Sequence, residues 1–189
     1  MVHSYLRRAA AAGLICTASI LISIPFPLTA TTYIGMYADE PHSECSSYPV
    51  PYQLVSFWVW VLPGEDGMLC VDYGITVPSN VIQAATIINP EAGNQIGDAL
   101  VRPGVTVCFP ACRTGWVWTH QLQCLVTDAA PSMITLDPHG DYGILRSTTC
   151  VEPGYPVEEM RKVNDLFLNQ ECCLATRESS WGAIKSLMR

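Results

Sequence analysis

The chain has 189 residues, and its 10 lysines and arginines stand against 17 acids, for a net charge of −7. That balance argues against nucleic acid and anionic membrane surfaces as partners, since both select basic patches. Almost half of the residues are hydrophobic, enough for one domain with a substantial core.

The N-terminus has the three-part pattern of an export signal. Arg7 and Arg8 precede an apolar and small-residue run from Ala9 to Ile24, Pro25 and Pro27 interrupt it, and Leu28-Thr29-Ala30 offers a small-residue cleavage site. The competing reading is a membrane span. Sixteen helical residues reach only ~24 Å, short of the ~30 Å hydrocarbon core, and Pro25 blocks extension. Residues 1–30 are therefore expected to be a cleaved signal peptide, residues 31–175 a folded domain and residues 176–189 a tail. Removing the signal takes away two arginines and no acid, leaving a mature net charge of −9. The mature chain is expected to lack a transmembrane segment and to act in the periplasm, in the cell envelope or as a secreted protein.

Cys16 leaves with the signal. Cys45, Cys70, Cys108, Cys112, Cys124, Cys150, Cys172 and Cys173 stay behind, an even number that reads as a disulfide framework in an exported chain. The pairing is not readable from spacing. The adjacent Cys172 and Cys173 need separate partners, and Cys150 is the favoured partner for one of them.

In chain order, Tyr33 to Ala38 predicts a first strand, and Cys45 to Pro51 a loop. The continuous run Phe57 to Leu62 predicts a strand buried on both faces. Leu69, Val71, Tyr73, Ile75 and Val77 alternate with more polar residues, which places them on a core face. Val81 to Ile88 is another candidate strand. Gly97 to Val101 and Val105 to Cys108 flank Arg102-Pro103-Gly104 like a hairpin. From Gly115, period two puts Trp116, Trp118, Leu122, Cys124 and Val126 on one face, and Val117, Thr119, Gln121 and Gln123 on the other. Met133 to Leu136 and Gly143 to Thr149 bracket a loop. Short strands punctuated by proline and glycine indicate an all-β, two-sheet β-sandwich, Ig-like or cohesin-like.

Beyond Cys150, Pro156 with Glu158, Glu159, Met160, Val163 and Phe167 fits an amphipathic helix, with an edge strand over Lys162 to Leu168 as its rival. Residues 179–189 predict a short helical tail with Trp181, Ile184 and Leu187 on one face and Lys185 near its end.

Few residues suggest chemistry. Cys108, Cys112, His120 and Cys124 superficially resemble a zinc set. On a strand, however, His120 and Cys124 lie about 13 Å apart, too far for one ion, so no metal or other cofactor is expected. His120 reads as a buried histidine bonded to backbone. Asp137, His139 and Asp141 read as turn chemistry in preference to a cation site. Trp58 with Trp60 and Trp116 with Trp118 form two W-x-W pairs. These are candidates for stacking on a sugar, although core packing is the better reading of their apolar surroundings. No G-x-S-x-G or nucleophile–base pair supports a hydrolase, and no catalytic residue is assigned.

The tail Ser179-Ser180-Trp181-Gly182-Ala183-Ile184-Lys185-Ser186-Leu187-Met188-Arg189 resembles the closing T-W-G-x-I-K-x-L-Y-R stretch of exported, uncharacterised β-sandwich proteins from environmental bacteria. Gly35-Met36-Tyr37-Ala38-Asp39, Ile96-Gly97-Asp98 and Cys112 followed by Gly115-Trp116-Val117-Trp118 are similar to that family's G-x-Y-x-D, I-G-[DN] and C-x2-G-W-x-W segments. Met188 replaces the usual tyrosine and Ser180 the usual threonine. The resemblance implies an extracytoplasmic bacterial β-sandwich and favours a strand near Lys162 to Leu168. It implies no activity, since the family has none established. The expected function is non-enzymatic interaction or structure, with a protein or glycan partner outside the cytoplasm. The tail is a candidate docking or sorting element. A carbohydrate-binding module is the alternative, and a hydrolase or metalloenzyme the weakest reading.

Overall fold

The computed structural model describes residues 31–172, so the signal segment, Cys173 and the tail with Trp181, Ile184, Lys185 and Leu187 lie outside it. There is no helix among the described residues. Thirteen strands follow one another: β1 (Tyr33–Tyr37), β2 (Ser46–Ser47), β3 (Gln53–Leu62), β4 (Met68–Thr76), β5 (Val81–Ile88), β6 (Asn94–Asp98), β7 (Val101–Arg113), β8 (Val117–Val126), β9 (Ser132–Asp137), β10 (Arg146–Thr148), β11 (Val157–Glu159), β12 (Arg161–Asn164) and β13 (Leu166–Leu168).

They form two sheets. The first has the order β12-β1-β3-β8-β5; the second has eight strands built around β4, with β7 and β6 on one flank and β9, β10, β11, β13 and β2 reached from the other. Alternation explains the packing. Ile34 and Met36 of β1, Phe57, Val59 and Val61 of β3, and Leu122 and Val126 of β8 face inward from the first sheet. They meet Val71, Tyr73 and Ile75 of β4, Val105 and Val107 of β7, and Leu136, Leu166 and Leu168 from the second sheet. The result is the two-sheet β-sandwich expected from the sequence.

Several sequence expectations are corrected. The Pro156–Phe167 region forms three short strands, not a helix: β11 pairs with β10, β12 runs parallel to β1, and β13 pairs with β9 and β2. The β6–β7 turn lies at Ala99 and Leu100, so Arg102-Pro103-Gly104 sits inside the long strand β7. Strand β3 is buried on one face only, with Trp58 and Trp60 half-buried on the other. In β8 the expected faces break at Thr119. Val59 opposes His120 but Trp60 opposes Trp118, so one extra residue is accommodated there. This bulge puts Val117 inside with Leu122, while Trp118 faces outward with Gln121.

Among the described residues, three disulfides staple the sandwich. Cys45–Cys172 ties the start of the domain to its end, Cys70–Cys108 links directly opposed residues of β4 and β7, and Cys112–Cys150 joins the end of β7 to the segment after β10. Cys150 therefore pairs with Cys112, not with Cys172. Cys124, expected in a bridge, is a buried thiol facing the core. Gly67, at φ +65, has a specific reason to be glycine: a Cβ there would lie 2.4 Å from the Cys112 sulfur.

Side-chain bonds replace backbone pairing where the β1–β12 register shifts. The Asn164 amide accepts from Met36 N at 3.1 Å and donates to Met36 O at 2.8 Å. In the second sheet the nearly inaccessible Asp72 carboxylate accepts from Arg146 Nε at 2.5 Å and from the Thr106 hydroxyl. This satisfies a charge that would otherwise be costly to bury.

Candidate functional site

Among the described residues, strands β3, β8 and β5 of the first sheet turn an uncharged, largely apolar surface outward. Its composition follows from strand parity. With Phe57, Val59 and Val61 packed inward, β3 presents Leu54, Ser56, Trp58 and Trp60 on the opposite side. Register then aligns rows across the strands. Leu54 lies opposite Leu125, which lies opposite Ile82 of β5. Trp58 is flanked by Tyr37 of β1 and Gln121 of β8, and Gln121 faces Ile87. Trp60 sits between Gly35 and Trp118. Leu54 is 56% exposed and Ile82 53% exposed, whereas Trp58, Trp60 and Trp118 are half-buried.

An aromatic cluster closes one end of this face. The loop after β1 is fastened by the Asp39 carboxylate, which accepts from Ser43 N and Glu44 N at 2.9 Å each. The loop holds His42 in a left-handed conformation (φ 50°) over the sheet. There the imidazole stacks on Trp116 at 4.4 Å between centroids and lies 4.8 Å from Trp60. Trp60 and Trp116 meet edge to face at 6.4 Å, and Tyr37 packs edge-on against both His42 and Trp116. Burial and the nearby Asp39 raise the Tyr37 phenol well above its ordinary range, so it stays neutral.

The two W-x-W pairs therefore converge. Trp60 touches Trp116 and opposes Trp118, while Trp58 continues the stripe along β3. Sequence parity places Trp116 and Trp118 on the core face with Leu122, which the bulge at Thr119 prevents. Core packing, the better reading from sequence, fails to describe these residues: the sandwich core is filled by their neighbours of opposite parity. The exposed aliphatic members, Leu54, Ile82 and Ile87, become readable only once cross-strand register is known. Such a surface can bury apolar area against a partner or stack on a planar group, and its rows contain no acid–base pair.

The interior polar residues serve the fold. His120 is completely inaccessible. Its Nδ1 is bonded to the Tyr73 hydroxyl, and its Nε2 lies 3.3 Å from Gln95 Oε1. The partners are thus side chains, not the expected backbone. Burial lowers the His120 pKa to about 4, although Asp98 pulls it upward. Neutral His120 consequently accepts from Tyr73 through Nδ1 and donates to Gln95 through Nε2. The Thr119 hydroxyl completes the group, 2.6 Å from Tyr73 Oη. Cys124 is equally removed from chemistry, because burial raises its thiol to about 11. The superficial zinc set is dispersed: Cys108 and Cys112 lie in separate disulfides, and His120 is engaged in the core.

Asp137 and His139 are held by local hydrogen bonds. His139 Nδ1 accepts from Asp141 N at 3.3 Å, its carbonyl accepts from Tyr142 N and Gly143 N, and its ring stacks on Tyr142. Asp137 accepts from the Thr76 hydroxyl at 2.5 Å. This turn closes a cleft of about 450 Å³ between the end of β4 and the β6–β7 turn, where Gly140 N donates to Pro103 O. Among the described residues, no group of three or more His, Cys, Asp or Glu side chains is placed to hold a metal ion.

No family model and no curated protein matches the chain. Solved structures do. A chain in the crystal structure of a complex between a CaDoc0917 variant and CaCohA2 at pH 5.5 aligns with a TM-score of 0.53 and 12% identity, covering 73% of this chain and 98% of that one. A non-cellulosomal cohesin from the hyperthermophilic archaeon Archaeoglobus fulgidus aligns with a TM-score of 0.49 and 11% identity, covering 74% of this chain and 90% of that one. At such identities the likeness is one of fold.

Proposed function

We propose that this protein is a non-enzymatic interaction module that acts outside the cytoplasm and binds a protein partner through the outer face of its first sheet. The observation that carries the reading is the uncharged stripe of Trp58, Trp60 and Trp118 flanked by Leu54, Ile82 and Ile87, on a chain whose net charge is −7. Contiguous apolar surface rimmed by polar residues is characteristic of association sites, and tryptophan is among the residues that most often dominate binding energy. A fold counterpart crystallised in a two-component complex is consistent with this use of a sandwich. The three disulfides and the signal-like N-terminus support an oxidising compartment, namely periplasm, envelope or medium. The resemblance to exported bacterial β-sandwich proteins agrees with that location. The tail, with Trp181, Ile184, Lys185 and Leu187, is proposed as a docking or sorting element.

The experiment is size fractionation of the protein in an extract of the cells that make it. Wild type is expected in a complex, and Trp58→Ser/Trp60→Ser is expected at the free size with an unchanged disulfide pattern. Both proteins at the free size, or both in the complex, would refute the reading. A glycan ligand is the second reading, favoured by the half-buried, outward-facing tryptophans; retardation of wild type but not of the double variant by soluble polysaccharide would select it.

A further inference from the structure

We infer that the protein forms a two-fold dimer by antiparallel pairing of β5 with β5 of a second copy, joining two five-stranded sheets into one. This goes beyond the proposed function and uses an edge of the sheet instead of its face. Among the described residues, strand β5 ends the first sheet and pairs with β8 alone, while β6 ends the second sheet and pairs with β7 alone. The contact of His120 with Gln95 places β6 beside β8, so both sheets stop on the same side of the sandwich.

Open edges are normally guarded by lysine, proline, shortness, a β-bulge or a covering loop; of these β5 has the bulge, between Gln83 and Ala85. Strand β5 spans eight residues, Val81-Ile82-Gln83-Ala84-Ala85-Thr86-Ile87-Ile88, with neither a proline nor a charge. Indeed, no charged residue occurs between Asp72 and Glu91. Ile82, Ile87, Ile88 and Ile96 are all exposed along this side, Ile96 by 71%. The ladder shifts register between Gln83 and Ala85, leaving Ala85 to Ile88 regularly paired with β8.

The ladder also shows which groups point outward. Tyr52 N donates to Val126 O and Thr127 N donates to Asn80 O, so successive residues of β8 bond alternately toward β3 and β5. Leu125, Gln123 and Gln121 thus bond toward β5, to Ile82, Ala85 and Ile87. The backbone groups of Thr86 and Ile88 consequently face the free edge.

A second copy fits this edge better than a foreign strand does. Antiparallel pairing about a two-fold axis is self-complementary, so one contact satisfies the outward groups of both edges and then closes. The charge-free stretch also lets two copies meet where the net negative chain carries no acid, which removes the main obstacle to self-association.

Sedimentation velocity of the purified, oxidised protein over a dilution series tests this. Wild type is expected to be a dimer that dissociates on dilution. Thr86→Pro removes an outward donor but leaves the β8 ladder intact, and should weaken association by at least about tenfold. Amide exchange at Thr86 and Ile88 in wild type should slow as concentration rises, a readout that holds even if the proline variant does not fold. A wild-type monomer throughout the series, a folded Thr86→Pro that dimerises equally well, or edge amides indifferent to concentration would each overturn the inference. A foreign strand as the true occupant would appear as the first of these outcomes.

Discussion

The Tyr73 hydroxyl and His120 Nδ1 are hydrogen-bonded across the middle of the sandwich, linking β4 of one sheet to β8 of the other. With Gln95 on the second imidazole nitrogen, the bond fixes His120 in its neutral form, and burial keeps it there down to about pH 4.

That arrangement sets the acid response. In the unfolded chain His120 binds a proton near its ordinary pKa of 6.5, whereas in the fold it does so only near 4. Between these values the unfolded state holds the extra proton. The contribution to stability is therefore complete above pH 6.5 and is lost as pH falls through 4, by up to roughly 3 kcal/mol. Urea unfolding at neutral pH and near pH 4 measures it. His120→Gln should show a smaller loss than wild type across that interval, and an equal loss would show that other groups carry the effect.

The bridges should differ in weight. Cys45–Cys172 closes a loop with a sequence separation of 127, against 38 for each of the other two. In the chain-entropy account its loss costs about 5 kcal/mol, compared with about 4 for either of the others. Urea midpoints of Cys45→Ser/Cys172→Ser and Cys70→Ser/Cys108→Ser compare them. The first pair is expected to be the less stable.

Cys124 should behave as a core residue. Its buried, undissociated thiol is expected to resist alkylation in the native protein and to react fully in denaturant without reductant. Mass spectrometry after each treatment reads this directly. Native-state labelling at Cys124 would contradict the packing described.

Gly35 leaves no room for a side chain, since a Cβ there would fall 2.2 Å from Asn164 Oδ1. Gly35→Ala must therefore displace the Asn164 amide from the Met36 backbone, at a cost of about 2–4 kcal/mol from overpacking and unpaired polar groups. Thermal unfolding of Gly35→Ala beside Asn164→Ala checks the link. The double variant should be less destabilised than the sum of the single ones.

The sandwich itself was legible in the sequence because period two and turn residues are local signals; Val71, Tyr73 and Ile75 fell where alternation put them. Non-local features were not legible. The helix-like spacing of Met160, Val163 and Phe167 runs across two strands of three or four residues, with Met160 just before the first of them; these are too short to display alternation and are held by pairing with β1 and β9. The tryptophan face was hidden by the bulge at Thr119, which inverts parity within β8, and by the fact that composition does not separate an aromatic core from an aromatic surface. Exposure of Leu54, Ile82 and Ile87 depends on register across β3, β8 and β5, which no single segment encodes. An even number of cysteines does not tell a core thiol such as Cys124 from a paired one.

Whether the tryptophan face meets a protein partner is decided by a photo-crosslinking residue placed at Gln121, beside Trp58 and Ile87, in the cells that make the protein. A discrete protein adduct is expected from position 121, lost when Trp58→Ser/Trp60→Ser is introduced. No such adduct is expected from the exposed position 157 on β11, a strand of the second sheet. An adduct from both positions, or an adduct at 121 that persists without the tryptophans, would contradict a partner bound through this face.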